Sequence, residues 1–234
     1  MTNANIDERE IERFSTAAPN WWDYNGEFKA LHEINPVRLA FIRTHAVLTG
    51  RNVLDVGCGG GLIAEGLASD GARVTAIDMS EQALKVARDH LGVSGLTVEY
   101  RQATVEKIAF ERPGAFDAVT CMELVEHVPD PASIVNACSR AVKPGGHVFF
   151  ATVNRTLLSL VLVIWASEYV FGIMRRGTHQ YRRLVRPSEL EHWGRSCGLN
   201  LSHRSGLRYF PFLGVASLCR STRMNYLVHF TKTH

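Results

Sequence analysis

The sequence predicts an α/β fold: a doubly wound, mostly parallel, Rossmann-like sheet with an N-terminal helical lid and a helical insert after the fifth strand. Three observations carry this prediction. Short β-rich runs alternate with helical stretches through the middle of the chain, a glycine-rich turn joins the first run to a helix, and aspartates stand at the carboxyl ends of the first two runs. One unit over 1–234 is expected, with 1–48 as the cap and 154–186 as the insert.

The elements follow in order. Phe14–Leu39 is rich in aromatics, and Asn35-Pro36 reads as the cap and first turn of a helix running to about Leu48. Asn52–Val56 is a strand, Leu62–Ala68 a helix, Arg73–Asp78 a strand and Glu81–His90 a helix. Leu96–Arg101 and Phe116–Met122 are strands. Asp130 caps a helix over Pro131–Val142, with proline at its first position. The Lys143-Pro144-Gly145-Gly146 turn ends that helix, and His147–Thr152 is the fifth strand. In such sheets ligands sit beyond the carboxyl ends of the strands, so the residues following each strand are the ones to inspect.

Composition narrows the classes. The 234 residues are 46% hydrophobic and 21% charged, which excludes disorder and fibrous sequence. A net charge of +3 gives no footprint for nucleic acid, and none is expected as a partner. Five scattered cysteines form no CxxC pair, so neither a disulfide framework nor a thiolate zinc site is expected, and a reducing cytoplasm fits. The acidic start of the chain reads as neither a secretory signal nor a transit peptide.

The run Asp55-Val56-Gly57-Cys58-Gly59-Gly60-Gly61 lets backbone turn tightly and approach a ligand. A dinucleotide fingerprint would need glycine where Leu62 stands. Asp55 would repel a pyrophosphate but suits a ligand bearing an ammonium and a sulfonium. Asp78 is placed to hold ribose hydroxyls. S-adenosylmethionine has the ribose and both cations and no phosphate, so it is the expected ligand, and a nicotinamide enzyme is disfavoured.

The Asp55-x-Gly57-x-Gly59-x-Gly61 run is similar to the first motif of class I S-adenosylmethionine-dependent methyltransferases. More specific are Trp21-Trp22-Asp23, Ile34-Asn35-Pro36-x-Arg38, Cys121-Met122-Glu123-x-x-Glu126-His127-Val128-Pro129-Asp130-Pro131, Lys143-Pro144-Gly145-Gly146 and Gly177-Thr178-His179. Together these resemble the ubiquinone-biosynthesis O-methyltransferase family, from about Ile11 to Tyr226. The resemblance implies the class I methyltransferase fold and methylation of ring hydroxyls on polyprenylated phenols (2-polyprenyl-6-hydroxyphenol and 3-demethylubiquinol). It also implies Arg38, Gly57, Asp78 and Met122 as cofactor contacts, beside Asp55 and Gly59 from the loop itself. A non-catalytic quinone-binding protein of the same fold is the alternative, which the intact Asp55, Gly57 and Asp78 disfavour.

Glu123, Glu126 and His127 follow the fourth strand, and on a helical turn i, i+3 and i+4 share a face. A phenol has a pKa near 10 and must lose its proton to attack a methyl group. His127 can act as general base, or the two glutamates and the imidazole can hold Mg²⁺ or Mn²⁺, which lowers the pKa of bound oxygens. The resemblance implies the metal through the same three residues. Trp21 and Trp22 either form an aromatic lid over the acceptor ring or pack against the sheet, and His179 is a candidate for the acceptor's entrance.

Thr156–Met174 carries one charge, Glu168, and Arg175, Arg176, Arg182, Arg183 and Arg186 follow it. An apolar helix beside a basic cluster suits the headgroup layer of an anionic membrane. The expected location is therefore cytoplasmic and peripheral to the inner membrane, with other ubiquinone-biosynthesis proteins as candidate partners.

Overall fold

The structure, a computed structural model, describes residues 5–156, 159 and 183–233. Most of the apolar insert, 157–158 and 160–182, including Gly177-Thr178-His179, lies outside the described residues.

An eight-stranded sheet forms the centre, in the order β3-β2-β1-β4-β5-β8-β6-β7. Its strands are β1 (Asn52–Val56), β2 (Arg73–Asp78), β3 (Val98–Gln102), β4 (Phe116–Met122), β5 (Val142–Val153), β6 (Leu199–Phe210), β7 (Val215–Cys219) and β8 (Asn225–Lys232). The five strands β3, β2, β1, β4 and β5 pair in parallel. β8, β6 and β7 extend the sheet with antiparallel pairing. Strand order reverses between β1 and β4, and the crevice at their carboxyl ends is where a ligand belongs.

Helices cover both faces, among them α1 (Glu8–Ala17), α2 (Lys29–His45), α3 (Leu62–Ser69), α4 (Glu81–Ser94), α5 (Val105–Glu111), α6 (Pro131–Ala141) and α7 (Pro187–Ser196). Two apolar layers result. One packs Ile108, Ile134, Val135 and Leu190 on Val119, Phe150 and Phe230, and the other packs Ile34, Phe41, Ile42 and Leu67 on Val53, Ala118 and Phe149. The expected cap is present, Asp130 accepting from Ser133 N–H at 3.2 Å, and two further helices are capped by Asp7, which accepts from Arg9 N–H at 3.1 Å, and by Ser80, which accepts from Ala83 N–H at 3.1 Å.

Several boundaries differ from expectation. α2 begins at Lys29, so Pro36 lies inside it and Asn35 caps nothing. The Asn35 amide instead donates to the Leu62 carbonyl at 3.1 Å. Burial of Ile34, Leu39, Phe41 and Ile42 outweighs the roughly 3 kcal/mol that an interior proline costs. Lys143–Gly146 is not a free turn but the irregular start of β5, with Val142 opposite Phe116 and a register shift before Ala118. The short helix α5 escapes a periodicity reading because it has only seven residues. β6 escapes because Asn200–Arg204 is exposed and shows no alternation.

Candidate active site

A cavity of about 440 Å³ opens at the carboxyl ends of β1, β2 and β4. It is lined by Arg38, Asp55, Gly57, Gly59, Asp78, Met122, Glu123, Glu126 and His127, so the predicted donor-binding and catalytic residues meet in one space, whereas Trp22 stays outside it and His179 lies outside the described residues.

At one end stands the glycine turn. Gly57 and Gly59 have φ of +70° and +51°, the left-handed region that glycine enters without strain. Their neighbours are protein as much as ligand space. A Cβ on Gly59 or Gly60 would fall 2.2 Å from the Trp21 ring, and one on Gly57 would fall 3.1 Å from Leu124. Trp21 therefore lies flat on the glycine turn, stacked on Phe28 at 4.2 Å. Trp22 donates to the Gly60 carbonyl at 3.0 Å and stacks on His90 at 3.4 Å. Both tryptophans clamp the turn, and Trp21 also lines the cavity.

Asp55 is 2% exposed. One carboxylate oxygen accepts from Thr120 at 2.7 Å, and among the described residues the other has no partner. Burial pushes its carboxyl up to about 7. Asp78 accepts Gly59 N–H at 2.9 Å and Ser80 N–H at 2.8 Å, and burial raises its pKa too. A carboxylate offers about four acceptor positions, so Asp78 keeps capacity for ribose hydroxyls. The buried Arg38 donates to Glu123 at 2.6 Å, while its Nε has no partner among the described residues. An orphan acid and an orphan guanidinium N–H in one cavity fit an α-ammonium and an α-carboxylate. The residues present therefore fit S-adenosylmethionine.

The other end differs from expectation. Glu123 takes a left-handed φ of 57°, and a single 3₁₀ turn, Val125–His127, follows. The i, i+3, i+4 geometry of an α-helix is therefore absent, and the three side chains part company. Glu123 goes to Arg38, whereas His127 Nδ1 goes to Glu10 at 2.9 Å. Glu126 is buried with one oxygen unpartnered among the described residues. Burial, then the neighbouring Glu123 charge, pushes its carboxyl up to about 7. Among the described residues no three His, Cys, Asp or Glu side chains are grouped to hold a metal ion. As arranged, these residues do not fit Mg²⁺ or Mn²⁺.

The sequence reading missed the contribution of α1. Glu10, Arg13 and Phe14 line the cavity. Burial opposes the Glu10 charge, but the hydrogen bond and charge of His127, with the charge of Arg13, hold its carboxyl below the usual range. An ionised carboxylate only accepts, so the bond to Glu10 places a proton on His127 Nδ1, and in the neutral ring Nε2 is then the nitrogen with the lone pair. Phe14 meets the imidazole edge-on at 5.3 Å. The cap is tied down elsewhere by Asn5 to the Asp130 backbone at 2.8 Å and by Arg183 to Asp7 at 2.7 Å. Four acids near the start of the chain were the only signal for Glu10, and nothing local marks which of them reaches the site.

Fold and site together define an S-adenosylmethionine-dependent methyltransferase. A methyltransferase-domain family model matches residues 54–150. The chain is 53% identical over 96% of its length to the ubiquinone biosynthesis O-methyltransferase of Chromobacterium violaceum, covering 97% of that protein. It is 49% identical to the one of Methylococcus capsulatus, over 99% of this chain and 98% of that one. The crystal structure of magnesium protoporphyrin IX methyltransferase from Synechocystis, with bound SAH, superposes with a TM-score of 0.71 at 17% identity, covering 97% of this chain and 100% of that one. That last likeness shows the fold, and the first two show the family: the chain belongs to the ubiquinone biosynthesis O-methyltransferases.

Proposed function

We propose that this chain moves a methyl group from S-adenosylmethionine to a ring hydroxyl of polyprenylated phenols, 2-polyprenyl-6-hydroxyphenol and 3-demethylubiquinol, in ubiquinone biosynthesis. One observation carries the reading beyond family membership. A single cavity joins Asp55, Gly57 and Asp78 at one end to Glu126 and His127 at the other. When bound, S-adenosylmethionine supplies a methyl group activated on a sulfonium.

The chain's own residues do the rest. Asp55 and Arg38 take the ammonium and carboxylate of the donor, Asp78 its ribose, and Gly57, Gly59 and Met122 line its path. Glu10 fixes the His127 tautomer, so that Nε2 is the atom that receives the phenol proton. Glu126 presents a carboxyl poised near neutrality on the same side. Phe14, Val128 and Ile134 supply apolar wall for the ring. Neither His127 nor the glutamates need change place for this route.

The Mg²⁺ or Mn²⁺ route through Glu123, Glu126 and His127 would first require Glu123 to leave Arg38 and His127 to leave Glu10. A methyl-transfer assay on a short-tailed demethylubiquinol, with and without EDTA, tests both. Turnover unchanged by EDTA and lost in His127→Ala supports the base; activity that EDTA abolishes and Mg²⁺ restores overturns it in favour of the metal. No transfer to either phenol overturns the function.

A long prenyl tail is lipid-soluble, so the enzyme has to meet its acceptor at a bilayer. The apolar and arginine-rich composition of 154–186 supports an anionic surface as partner, with a cytoplasmic location at the inner membrane. Among the described residues no helix is long and apolar enough to cross a membrane.

A further inference from the structure

Outside the site, exposed apolar surface is concentrated in one place. Of the ten large hydrophobic residues exposed among the described residues, half fall between Phe210 and Leu218, on the β6–β7 hairpin. Phe210 and Val215 are 45% and 50% exposed, and Leu213 at the turn is 74% exposed. Folding has not hidden them because the hairpin has two faces. Tyr209 pairs with Ala216 and Leu207 with Leu218, and Leu207, Tyr209 and Ala216 pack into the core layer that holds α2. The alternating pair, Phe210 opposite Val215, faces the other way.

Strand registers place the hairpin. Val153, at the carboxyl end of β5, pairs with Asn225, and Asn225 pairs with Leu207. Val153 and Asn225 both line the cavity. β6 continues three residues past Leu207, about 10 Å at the usual rise. The turn therefore projects from the active-site end of the sheet.

The hairpin's own charges are of one sign, although the α2 carboxylate Glu33 reaches the turn beside Gly214 and accepts from Tyr209. From His203 to Met224 there are four arginines and no acidic residue. Arg204 pairs with Glu191, but Arg208, Arg220 and Arg223 are exposed and form no ion pair among the described residues. Arg208 lies 5.9 Å from the centre of the Phe210 ring. Arg220 and Arg223 lie in the β7–β8 connection, which returns to Asn225 at the level of the cavity.

We propose that this hairpin is a lipid-docking surface, its apolar tip entering the headgroup layer of an anionic bilayer and its arginines meeting the lipid phosphates. An aromatic and aliphatic tip with arginines behind it that form no ion pair among the described residues matches the chemistry of that layer. Docked this way, the active-site end of the sheet faces the bilayer and the lipid-borne acceptor has a short route to His127. The inference rests on the reading of a membrane-borne acceptor given above.

The test uses the full chain and vesicles of phosphatidylcholine with and without phosphatidylglycerol. Phe210→Ser with Leu213→Ser and Val215→Ser should lower co-sedimentation roughly fivefold or more on both vesicles. Arg208→Glu with Arg220→Glu should lower it only on the anionic ones, and added salt should mimic that pair. Donor binding and methylation of a tail-less, water-soluble catechol should stay at the wild-type level in each. Leu213→Asp alone should behave as the triple variant, and decides the matter if the triple variant fails to fold. Vesicle binding that survives the substitutions overturns the proposal. So does a wild-type dimer that the apolar substitutions dissociate, because a second copy would then cover the face. A wild type that binds vesicles yet methylates no catechol overturns the activity and leaves the surface standing.

Discussion

Most of the donor end of the cavity comes from one β-α-β unit, Asp55 to Asp78, with Arg38 and Met122 added from α2 and β4, whereas the acceptor end joins Glu10 to His127 across 117 positions. At the donor end, backbone shape and two buried carboxyls are properties of a short contiguous segment, and only Arg38 and Met122 come from elsewhere. At the acceptor end, the decisive contact is between two side chains on unconnected elements. Chemistry that depends on turn geometry is therefore written locally. Chemistry that depends on which acid meets which imidazole is written in the packing of the N-terminal cap.

The largest expected effect tests whether the ends are separable. His127→Ala should lower kcat by about 10²–10⁴-fold, the usual worth of a positioned general base. Its affinity for S-adenosylmethionine, measured by calorimetry, should remain within about twofold, because His127 lies at the acceptor end. A matching loss of donor affinity would show the two ends to be one unit.

Glu10→Gln comes next. Without the carboxylate, nothing obliges His127 to carry its proton on Nδ1, and the fraction with Nε2 free falls. We expect a loss of at least about tenfold in kcat with little change in donor affinity. Unchanged kcat would reduce Glu10 to a cap residue.

A third prediction concerns why the turn is glycine. Gly60 has no left-handed φ, yet its Cβ would sit 2.2 Å from the Trp21 ring. Gly60→Ala should destabilise by about 1–3 kcal/mol, as overpacking does. Adding Trp21→Ala should cost less in that background than in the wild type, a non-additivity that melting curves of the four proteins would reveal. Strict additivity would mean that the glycine serves something other than Trp21.

The smallest effect is a pH dependence. Burial raises the Asp55 pKa to about 7, so in the free protein much of the carboxyl is protonated at pH 6 and ionised at pH 8. A cationic donor favours the charged form, so binding should release a proton. If the bound pKa lies well below 6, affinity should rise by about tenfold from pH 6 to pH 8. The same linkage acts on the unliganded fold with the opposite sign. A folded pKa above the unfolded 3.8 means that this group's contribution to stability declines as pH rises from about 4 to 7. Asp55→Asn should flatten both trends, which titration calorimetry and thermal melts at several pH values would read. A slope that persists in Asp55→Asn would assign the proton to another group.

Sequence alone determined the alternation from Asn52 to Thr152, the cap at Asp130, the glycine turn, and the strand-end residues Asp55, Gly57, Gly59 and Asp78 that line the cavity. Each depends on residues a few positions apart, where capping, φ preference and strand period operate. Resemblance added Arg38 and Met122, which no local rule marks. Only the tertiary structure decided the remainder. It ran α2 through Pro36, because core burial outweighs one lost hydrogen bond. It built β6, β7 and β8 into an antiparallel edge, where a polar strand such as Asn200–Arg204 shows no period. It sent Glu123 to Arg38 and His127 to Glu10, because a left-handed residue and a 3₁₀ turn replace the helix that the spacing suggested. Spacing is a statement about one element, whereas the meeting of two elements depends on how the whole core packs.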